Sequence, residues 1–251
     1  GIRPAVDRSF MRRSRIFTDQ SLQSGATLTL DGAGSRYVRQ VLRLRHGQTV
    51  VLFDGSGRDF EAELLAGKHR DCTLRILREV SVEPAPALRL HLGIGISRGE
   101  RMDYAIQKSV ELGVNEISPL FSSRSVVRLN ADRRNKRIAH WEGVIRSACE
   151  QSGRSRLPRL NPPSELSDWL SGHPGGLMLY HKAADTLATR PAPGPGLNLL
   201  IGPEGGLSDA ERAHAVDRGY TAVRLGPRVL RTETAPIAAI AAIQVLWGDF
   251  R

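Results

Sequence analysis

The chain has 251 residues, of which 40% are hydrophobic and 25% charged, and its formal net charge is +10 at pH 7. This length can bury a substantial core as one large domain or two smaller ones, and we predict two. Cys72 and Cys149 lie far apart with no second thiol at metal-ligand spacing, so neither a disulfide framework nor a zinc site is indicated, and a reducing, cytosolic setting fits best. The most apolar run, 236–247, is too short to cross a bilayer, and the first residues lack an apolar signal core. We therefore expect a soluble protein that is not exported.

The positive charge is concentrated in two segments. Residues 1–50 hold nine arginines against three acidic residues, and residues 122–160 hold ten lysines and arginines against three. Such blocks are either solvated faces or surfaces that bind nucleic acid. We favour nucleic acid, because arginine, which outnumbers lysine heavily here, makes forked contacts to phosphate. A GC-rich genome produces the same arginine bias.

Residues 12–80 contain short apolar runs separated by turns, which predict a small β-barrel. The predicted strands are 15–17, 26–31, 48–54, 59–65 and 72–80. The sequence "DGSGRD" between the third and fourth runs is typical of a hairpin. One helix is predicted over 35–44, where Val38, Val41 and Leu42 recur at helical spacing. The two prolines of "SVEPAPA" (81–87) remove the donors that a continuing strand needs, so we place a domain boundary there.

Beyond this boundary, strands and helices alternate. The predicted strands are 88–96, 114–121, 176–180, 197–201 and 221–226. The predicted helices are 100–113, 131–151, 164–170, one that follows residue 206, and 235–246. This alternation predicts an α/β domain with a parallel sheet that is covered on both faces. The glycines of "GIGISRGE" (93–100) are predicted to serve close packing in the sheet.

The glycine-rich stretch "LLIGPEGGLSDAE" (199–211) follows a predicted strand. It matches neither the dinucleotide fingerprint nor the phosphate-binding P-loop, since it has no lysine or arginine and Glu204 would repel a phosphate. Ser208 and Glu211 have the spacing of a capping box, which would occupy the amides that a phosphate needs. We therefore predict a closely packed ligand that is not anionic here, such as an adenosine or a sulfonium, contacted by backbone groups.

A second motif, "LGPRVLRTETAPIAAIAAIQ" (225–244), joins a strand end to a helix of small residues. A basic loop carries Arg228 and Arg231, and Thr234 is predicted to cap the helix. The small residues would let this helix pack tightly against other chain segments or a twin subunit. The polar group of Arg231, Thr232 and Glu233 beside the cap indicates more than a simple capped helix, which is the alternative interpretation.

Together, these two motifs resemble the paired signature of the SPOUT class of RNA methyltransferases, in particular the RsmE family. The stretches "SRGERMDYAIQKSVELGV" (97–114), "ACEQSGR" (148–154) and "VLRLRHGQTVVLFDG" (41–55) support the resemblance, which covers about residues 12–250. Residues 1–10 match no part of the family; they are an extension, or the chain starts at Met11.

The resemblance implies a fold, an activity and a partner. Residues 12–80 would form a PUA-like RNA-binding β-barrel, and residues 88–251 a SPOUT methyltransferase domain whose last segment forms a trefoil knot. The enzyme would transfer a methyl group from S-adenosylmethionine to N3 of a uridine in 16S ribosomal RNA, on free RNA or on the small subunit. It would act as a homodimer, with the RNA lying across both subunits.

The resemblance also implies a set of cofactor-binding residues. They lie at a strand end, in the glycine-rich stretch and in the second motif: Leu179, Ile201, Gly202, Pro203, Glu204, Gly205, Gly206, Leu225, Gly226, Leu230, Arg231, Thr232, Glu233, Thr234 and Ala235. Much of this contact would be made by backbone atoms, in agreement with the glycines.

The implied reaction requires a base and a cation, because uridine N3 must lose its imide proton. Glu204 is the candidate general base, and Arg231 or Arg98 is the candidate cation. Glu204 has two alternative roles, which are to hold the cofactor or to stabilise the turn.

For RNA binding we select arginines in the two basic segments. They are Arg12, Arg13, Arg15, Arg124, Arg128, Arg133, Arg134 and Arg154. The alternative is that these residues are solvated surface. Cys149 is read as a buried, inert thiol, because no activating neighbour is evident. The seven histidines show no repeated metal-ligand spacing, so we predict no metal.

Two other functions remain open. One is a related SPOUT enzyme that acts on transfer RNA or on a ribose 2′-hydroxyl, and the other is a non-catalytic RNA-binding protein of the same fold.

Overall fold

A computed structural model describes residues 14–66, 71–125 and 131–250. It divides into two compact units. The first runs up to Pro84 and also takes in Cys149–Leu157, and the second holds Ala85–Ala148 and the chain from Pro158 onward. The change of unit at Pro84 falls within the proline-containing segment 81–87. The return of Cys149–Leu157 to the first unit had no signal in the sequence, because the first of these residues continue the helix that begins at Ala131.

The first unit contains a five-stranded sheet. Its strands are β1 (Arg15–Phe17), β2 (Thr27–Thr29), β3 (Thr49–Phe53), β4 (Arg58–Leu64) and β5 (Thr73–Val82). Their order is β1-β3-β4-β5-β2; β1 pairs parallel with β3, and the other pairs are antiparallel. Leu52, Phe60 and Leu74 are buried in the core of this unit. All five strands lie where the apolar runs predicted them.

The predicted helix in this unit differs from expectation. Helix α1 (Gly32–Arg36) begins three residues earlier, where the Asp31 carboxylate accepts a hydrogen bond from the Gly34 N–H at 2.6 Å. It then widens into a π-helical turn, Tyr37–Val41. Because a π turn holds one more residue than an α turn, the following side chains are rotated. Val38 is fully buried, whereas Val41 is 65% exposed.

The second unit contains a sheet of seven strands in which every pair is parallel. The strands are β6 (Arg89–Gly95), β7 (Glu116–Phe121), β8 (Arg159–Leu160), β9 (Ser164–Glu165), β10 (Gly176–Leu179), β11 (Gly196–Ile201) and β12 (Tyr220–Val223). The order is β12-β10-β11-β6-β7-β8, and β9 also pairs with β7. The prediction of an α/β fold with a parallel sheet is confirmed. The two-residue strands β8 and β9 were not predicted, because they are too short to show a period.

Five helices accompany this sheet. They are α2 (Glu100–Glu111), α3 (Ala131–Ser152), α4 (Leu166–Gly172), α5 (Asp209–Asp217) and α6 (Thr234–Trp247). A 3-10 turn lies at Leu187–Thr189. Within the described ranges, no helix combines the length and apolar character needed to cross a membrane.

The path after β12 positions the site. β12 is the edge strand of the sheet and lies next to β10. Helix α2 connects β6 to β7, and β10 and β11 separate these two strands from β12 in the sheet. Helix α6 nevertheless packs against α2, where the Gln244 side-chain amide donates to the Leu112 carbonyl at 2.9 Å. The segment between β12 and α6 therefore passes over the carboxyl ends of β10 and β11. Ligands of open parallel sheets characteristically bind at this end of the strands.

Candidate functional site

A cavity of about 550 Å³ lies at the carboxyl ends of β10, β11 and β12. Most of the cofactor residues selected from the sequence line it: Leu179, Ile201, Gly202, Pro203, Glu204, Gly205, Gly206, Leu225, Leu230, Arg231, Thr232, Glu233 and Ala235. Gly226 and Thr234 are not among the lining residues. The structure thus brings two segments that are about twenty residues apart in the chain into one wall, and their role in ligand binding stays a prediction.

Two glycines of β6 let other parts of the unit approach the sheet closely. A Cβ atom on Gly95 would lie 2.4 Å from the backbone nitrogen of Pro203, so the loop after β11 crosses directly over it. A Cβ atom on Gly93 would lie 2.6 Å from the Trp169 ring. The prediction that these glycines serve close packing is confirmed, and Gly95 is one of the residues that shape the cavity wall.

The capping box at the start of α5 is confirmed. The Ser208 hydroxyl accepts from the Glu211 N–H at 3.3 Å, and the Glu211 carboxylate accepts from the Ser208 N–H at 2.8 Å. Glu211 also accepts from the Ser123 N–H at 2.7 Å, which ties the loop after β7 to this helix. Burial acts to raise the pKa of Glu211, but these N–H donors more than offset it, so the pKa lies below its ordinary value.

The Glu204 carboxylate joins the glycine-rich loop to the start of α2. Its Oε1 accepts from the Arg98 N–H at 3.2 Å and lies 3.5 Å from Nη1 of Arg101. Burial acts to raise the pKa of Glu204, but hydrogen bonds from its own backbone N–H and that of Arg98, with the charge of Arg101, lower it overall. Glu204 is therefore a charged group at neutral pH. A lowered pKa makes it a weaker proton acceptor than a base tuned toward the working pH.

The two candidate cations occupy different places. Arg231 is exposed and lines the cavity, as Glu204 does. Arg98 offers its backbone N–H to Glu204, but it is not among the lining residues. The structure therefore brings Arg231, and not Arg98, into the cavity with Glu204.

The predicted cap at Thr234 is wrong. Thr234 is the first residue of α6, and the capping position belongs to Glu233, whose side chain makes no capping hydrogen bond. Glu233 already has helical backbone angles. The Arg231 carbonyl accepts from the N–H groups of Thr234 and Ala235, each at 2.9 Å, so a backbone turn takes the place of a side-chain cap.

Further arginines line the cavity without having been selected as cofactor residues. Three of these arginines make contacts with other residues of the second unit. Arg124 donates to the Gly205 carbonyl at 2.9 Å, Arg224 donates to the Ala183 carbonyl at 2.6 Å, and the Arg212 guanidinium lies 4.3 Å from the centre of the Tyr180 ring. The partners of Arg124 and Arg224 are distant in sequence, so no local pattern identifies these two residues. By contrast, the guanidinium groups of Arg228 and Arg231 make no hydrogen bond or ion pair with any described residue.

Only some arginines selected for RNA binding are exposed. Arg133 and Arg134 are exposed on α3, with Arg134 5.7 Å from the centre of the Phe121 ring. Arg12, Arg13 and Arg128 lie outside the described residues. Arg124 is exposed but is engaged with the glycine-rich loop.

Arg15 and Arg154 are mostly buried in the first unit, which corrects the expectation that they lie on the surface. Their side chains are 11% and 12% exposed. Arg15 binds both oxygens of Asp59 at 2.8 and 3.0 Å and also donates to the Ser155 hydroxyl. Arg154 lies 3.9 Å from Glu83. Charge counting cannot separate such internal pairs from solvated arginines. Because both side chains are mostly buried beside acidic residues, neither belongs to the proposed RNA surface.

Family models match most of the chain. Residues 83–244 match the RNA methyltransferase domain, and residues 30–77 match the RNA methyltransferase PUA domain. The first match alone spans more than half of the chain. The fold, the cavity at the strand ends and these matches define the class, an RNA methyltransferase with a PUA domain.

Relatives and solved structures narrow this class. The ribosomal RNA small subunit methyltransferase E of Buchnera aphidicola subsp. Schizaphis graminum is 34% identical over 95% of this chain and 98% of the relative. The enzyme of the same name from Neisseria gonorrhoeae, solved bound to S-adenosyl methionine, is 38% identical, with a TM-score of 0.89 over 96% of this chain and 100% of that chain. A Legionella pneumophila methyltransferase structure with bound SAM is 36% identical, with a TM-score of 0.91 over 95% and 100%. The chain belongs to the ribosomal RNA small subunit methyltransferase E family.

Proposed function

We propose that this protein transfers a methyl group from S-adenosylmethionine to N3 of a uridine in the 16S ribosomal RNA of the small subunit. The cavity carries this proposal, because the glycine-rich loop and the segment before α6 meet there in a chain of this family. The reaction belongs in the cytoplasm, where ribosomal subunits are assembled.

The residues of the cavity fit this cofactor. A volume of about 550 Å³ suits a ligand of this size, since ligand pockets range from roughly 300 to 1,000 Å³. Leu179, Ile201 and Leu230 offer apolar contacts, and Gly202 exposes its backbone. The carboxylates of Glu204 and Glu233 line the same space and complement a positive charge. When bound, the cofactor supplies an electrophilic methyl group on a sulfonium sulfur.

Arg231 is the proposed catalytic cation. Loss of the N3 proton leaves a negative charge that is shared by N3 and the two carbonyl oxygens of the uracil ring. A preorganised positive group stabilises charge that develops in a transition state. The Arg231 guanidinium lines the cavity and is unpaired among the described residues, so it is free to perform this role.

Glu204 is proposed as a positioning residue. Its hydrogen bond to the Arg98 N–H and its contact with Arg101 hold the glycine-rich loop against the start of α2. Its lowered pKa argues against the role of general base that the residue type first indicated. Correct placement of N3 against the methyl group is itself worth roughly 7–11 kcal/mol of barrier in well-oriented reactions.

A trefoil knot and a homodimer are part of the same proposal. The passage of the chain over the ends of β10 and β11, followed by packing of α6 on α2, supports a knot. Val245 and Phe250 are large apolar residues that are 56% and 46% exposed, which supports a second copy at this end of α6. A crystal structure that traces residues 199–250 tests the knot, and analytical ultracentrifugation tests the dimer.

For RNA we propose a basic surface that includes Arg133 and Arg134 of α3. Arg12, Arg13 and Arg128 belong to the same proposal, although they lie outside the described residues. Exposed arginines of this kind contact phosphates, and this makes binding depend on salt.

The deciding experiment compares methylation of naked 16S ribosomal RNA, assembled small subunits and transfer RNA, with mapping of the modified atom. We expect methyl transfer to a uridine N3 in 16S ribosomal RNA only. S-adenosylmethionine should stabilise the protein thermally, whereas ATP and NAD should not. Modification of transfer RNA or of a ribose hydroxyl would identify a different SPOUT activity, and cofactor binding without transfer to any RNA would refute the enzymatic function.

A further inference from the structure

Three side chains with metal-ligating atoms meet at the amino end of the parallel sheet, opposite the cofactor cavity. His91 lies in β6, Glu116 begins β7, and His173 follows α4. His91 and Glu116 are direct neighbours in the register of β6 and β7. The candidate ligand atoms of the three residues all lie within 4.8 Å of one another, and His91 Nε2 is 3.9 Å from Glu116 Oε1.

Neighbouring groups orient these ligands as they do in known metal sites. The His173 Nδ1 lies 3.0 Å from the Trp169 carbonyl, which only accepts, so Nδ1 carries the proton and Nε2 keeps its lone pair. The Asn161 amide donates to Glu116 Oε1 at 2.7 Å. Metal-binding histidines typically donate their second ring N–H to a carbonyl or carboxylate, and metal-binding carboxylates are hydrogen-bonded in turn. The pattern of contacts around His173 and Glu116 matches this arrangement.

A second cavity gives access to the cluster. It has a volume of about 570 Å³, and its lining includes His91, Glu116, Asn115, Asn198 and Arg89. It offers an entry path for an ion and space for a water molecule as a further ligand. His91 itself is only 8% exposed, so its ring is held in place by the surrounding side chains.

We propose that His91, Glu116 and His173 bind one Zn²⁺ ion, with a water molecule from this second cavity as the fourth ligand. Two imidazoles and a carboxylate are ligands that zinc prefers. Tetrahedral zinc bonds of about 2.0–2.1 Å place ligand atoms about 3.4 Å apart. The candidate ligand atoms are now up to 4.8 Å apart, so the most distant pair must approach by about 1.4 Å. Two groups now occupy the His91 Nε2 lone pair, the Ser118 hydroxyl at 2.8 Å and the Trp169 indole N–H at 3.4 Å, and both must turn away when the ion binds. The Ser118 hydroxyl keeps its hydrogen bond from Asn161 at 2.9 Å.

The site differs in kind from the cofactor cavity. It would fasten the end of α4 to the amino ends of β6 and β7, so the bound ion would be structural or would hold a small ligand in the second cavity. The sequence spacing does not predict this site, because the three ligands come from separate elements and no two of them have the spacing of a zinc-binding motif.

The test uses untagged protein from which metal has been removed with a chelator. Zn²⁺ binding is measured by calorimetry, and Co²⁺ is used as a spectroscopic probe, since tetrahedral Co²⁺ absorbs strongly in the visible region. We expect one ion per chain and a tetrahedral Co²⁺ spectrum. Glu116→Gln and His173→Gln should each weaken Zn²⁺ binding at least about tenfold, the scale that even outer-shell changes reach. His46→Gln, which removes an exposed histidine of the first unit, is the matched control and should bind as the parent does.

Several results would overturn the proposal. These are no stoichiometric Zn²⁺ binding by the parent protein, an octahedral Co²⁺ spectrum that indicates loose surface binding, or equal Zn²⁺ affinity in the parent, Glu116→Gln and His173→Gln. Circular dichroism establishes that each variant is folded. The measurements on the parent protein decide the question even if one variant fails to fold, and none of them depends on methyl transfer.

Discussion

The Glu204 carboxylate lies 3.5 Å from Nη1 of Arg101, so a residue of the glycine-rich loop faces the first turn of α2. The same carboxylate accepts the Arg98 N–H, and the two contacts connect positions more than a hundred residues apart. Glu204 therefore has two possible roles that can be distinguished by kinetics. A residue that positions the loop affects cofactor binding, whereas a general base affects the chemical step.

Glu204→Gln is expected to raise the KM for S-adenosylmethionine severalfold and leave kcat within about tenfold of the parent. The amide retains an oxygen for the Arg98 N–H but loses the attraction to Arg101. Loss of a true general base typically costs about 10²–10⁴-fold in rate. Steady-state kinetics over a range of pH distinguishes these outcomes, and a fall of that size in kcat with unchanged KM would restore the role of base. Glu142→Gln, in an exposed pair on α3, is the control.

Gly95→Ala is expected to displace the glycine-rich loop that lines the cavity at the strand ends. The new Cβ atom would lie 2.4 Å from the Pro203 nitrogen, and backbone cannot move aside as a flexible side chain can. We expect a loss of stability of about 1–3 kcal/mol and weaker S-adenosylmethionine binding, measured by urea unfolding and calorimetry. Gly143→Ala is the matched control, since nothing lies within 4 Å of its added Cβ in α3. The Gly143→Ala variant should be more stable than the parent. If Gly95→Ala bound the cofactor as tightly as the parent does, the close approach of Pro203 to Gly95 would be contradicted.

Glu211→Gln is expected to change how stability depends on pH. The pKa of Glu211 is lowered in the folded protein, so its contribution is complete above the ordinary carboxyl pKa of about 4.3 and is lost as the pH falls through the lower folded value. The difference in unfolding free energy between parent and variant should therefore be largest at neutral pH and shrink on acidification. Urea titrations from pH 7 to pH 3 measure it. Glu165→Gln, which removes an acid at a helix start where the side chain makes no capping bond, is the control.

The Cys149 thiol is expected to be inert in the folded protein. Burial raises its pKa to about 12, so almost no thiolate exists at pH 8. In a Cys72→Ala background, a thiol reagent should modify Cys149 only after denaturant is added. Rapid modification of the native protein would show that the helix around Cys149 opens readily.

Arg15→Ala and Arg133→Ala are expected to have opposite effects. The first leaves the Asp59 carboxylate, 7% exposed, without its charged partner, which typically costs about 3–5 kcal/mol. The second, at an exposed residue, should cost far less stability but weaken RNA binding and reduce the salt slope by about 0.7, the value for one phosphate contact on a single strand. Unfolding curves and binding titrations at several salt concentrations test both expectations. Equal stability in the two variants would show that the Asp59 pair contributes little.

Most features that depend on neighbours in the chain were predictable, although the predicted cap at Thr234 was wrong. The Ser208–Glu211 capping box, the turns and the alternation of strands with helices rest on spacings of a few residues, and all are present in the structure. The exclusion of a P-loop at 202–206 rests on composition alone. The resemblance to a known family added the pairing of this loop with residues 225–235, which local physics does not require.

The sequence by itself therefore determined most of the strands and helices, the parallel α/β domain and the two motifs that line the cavity. Only the tertiary structure decided that Arg15 forms an ion pair with Asp59 and that Arg101 faces Glu204. It also decided that His91, His173 and Glu116 lie close together at the amino end of the sheet. The reason is physical: charge and pKa depend on distances in space of a few ångströms. Those distances are created by strand order and loop crossings, which bring together residues that are far apart along the chain.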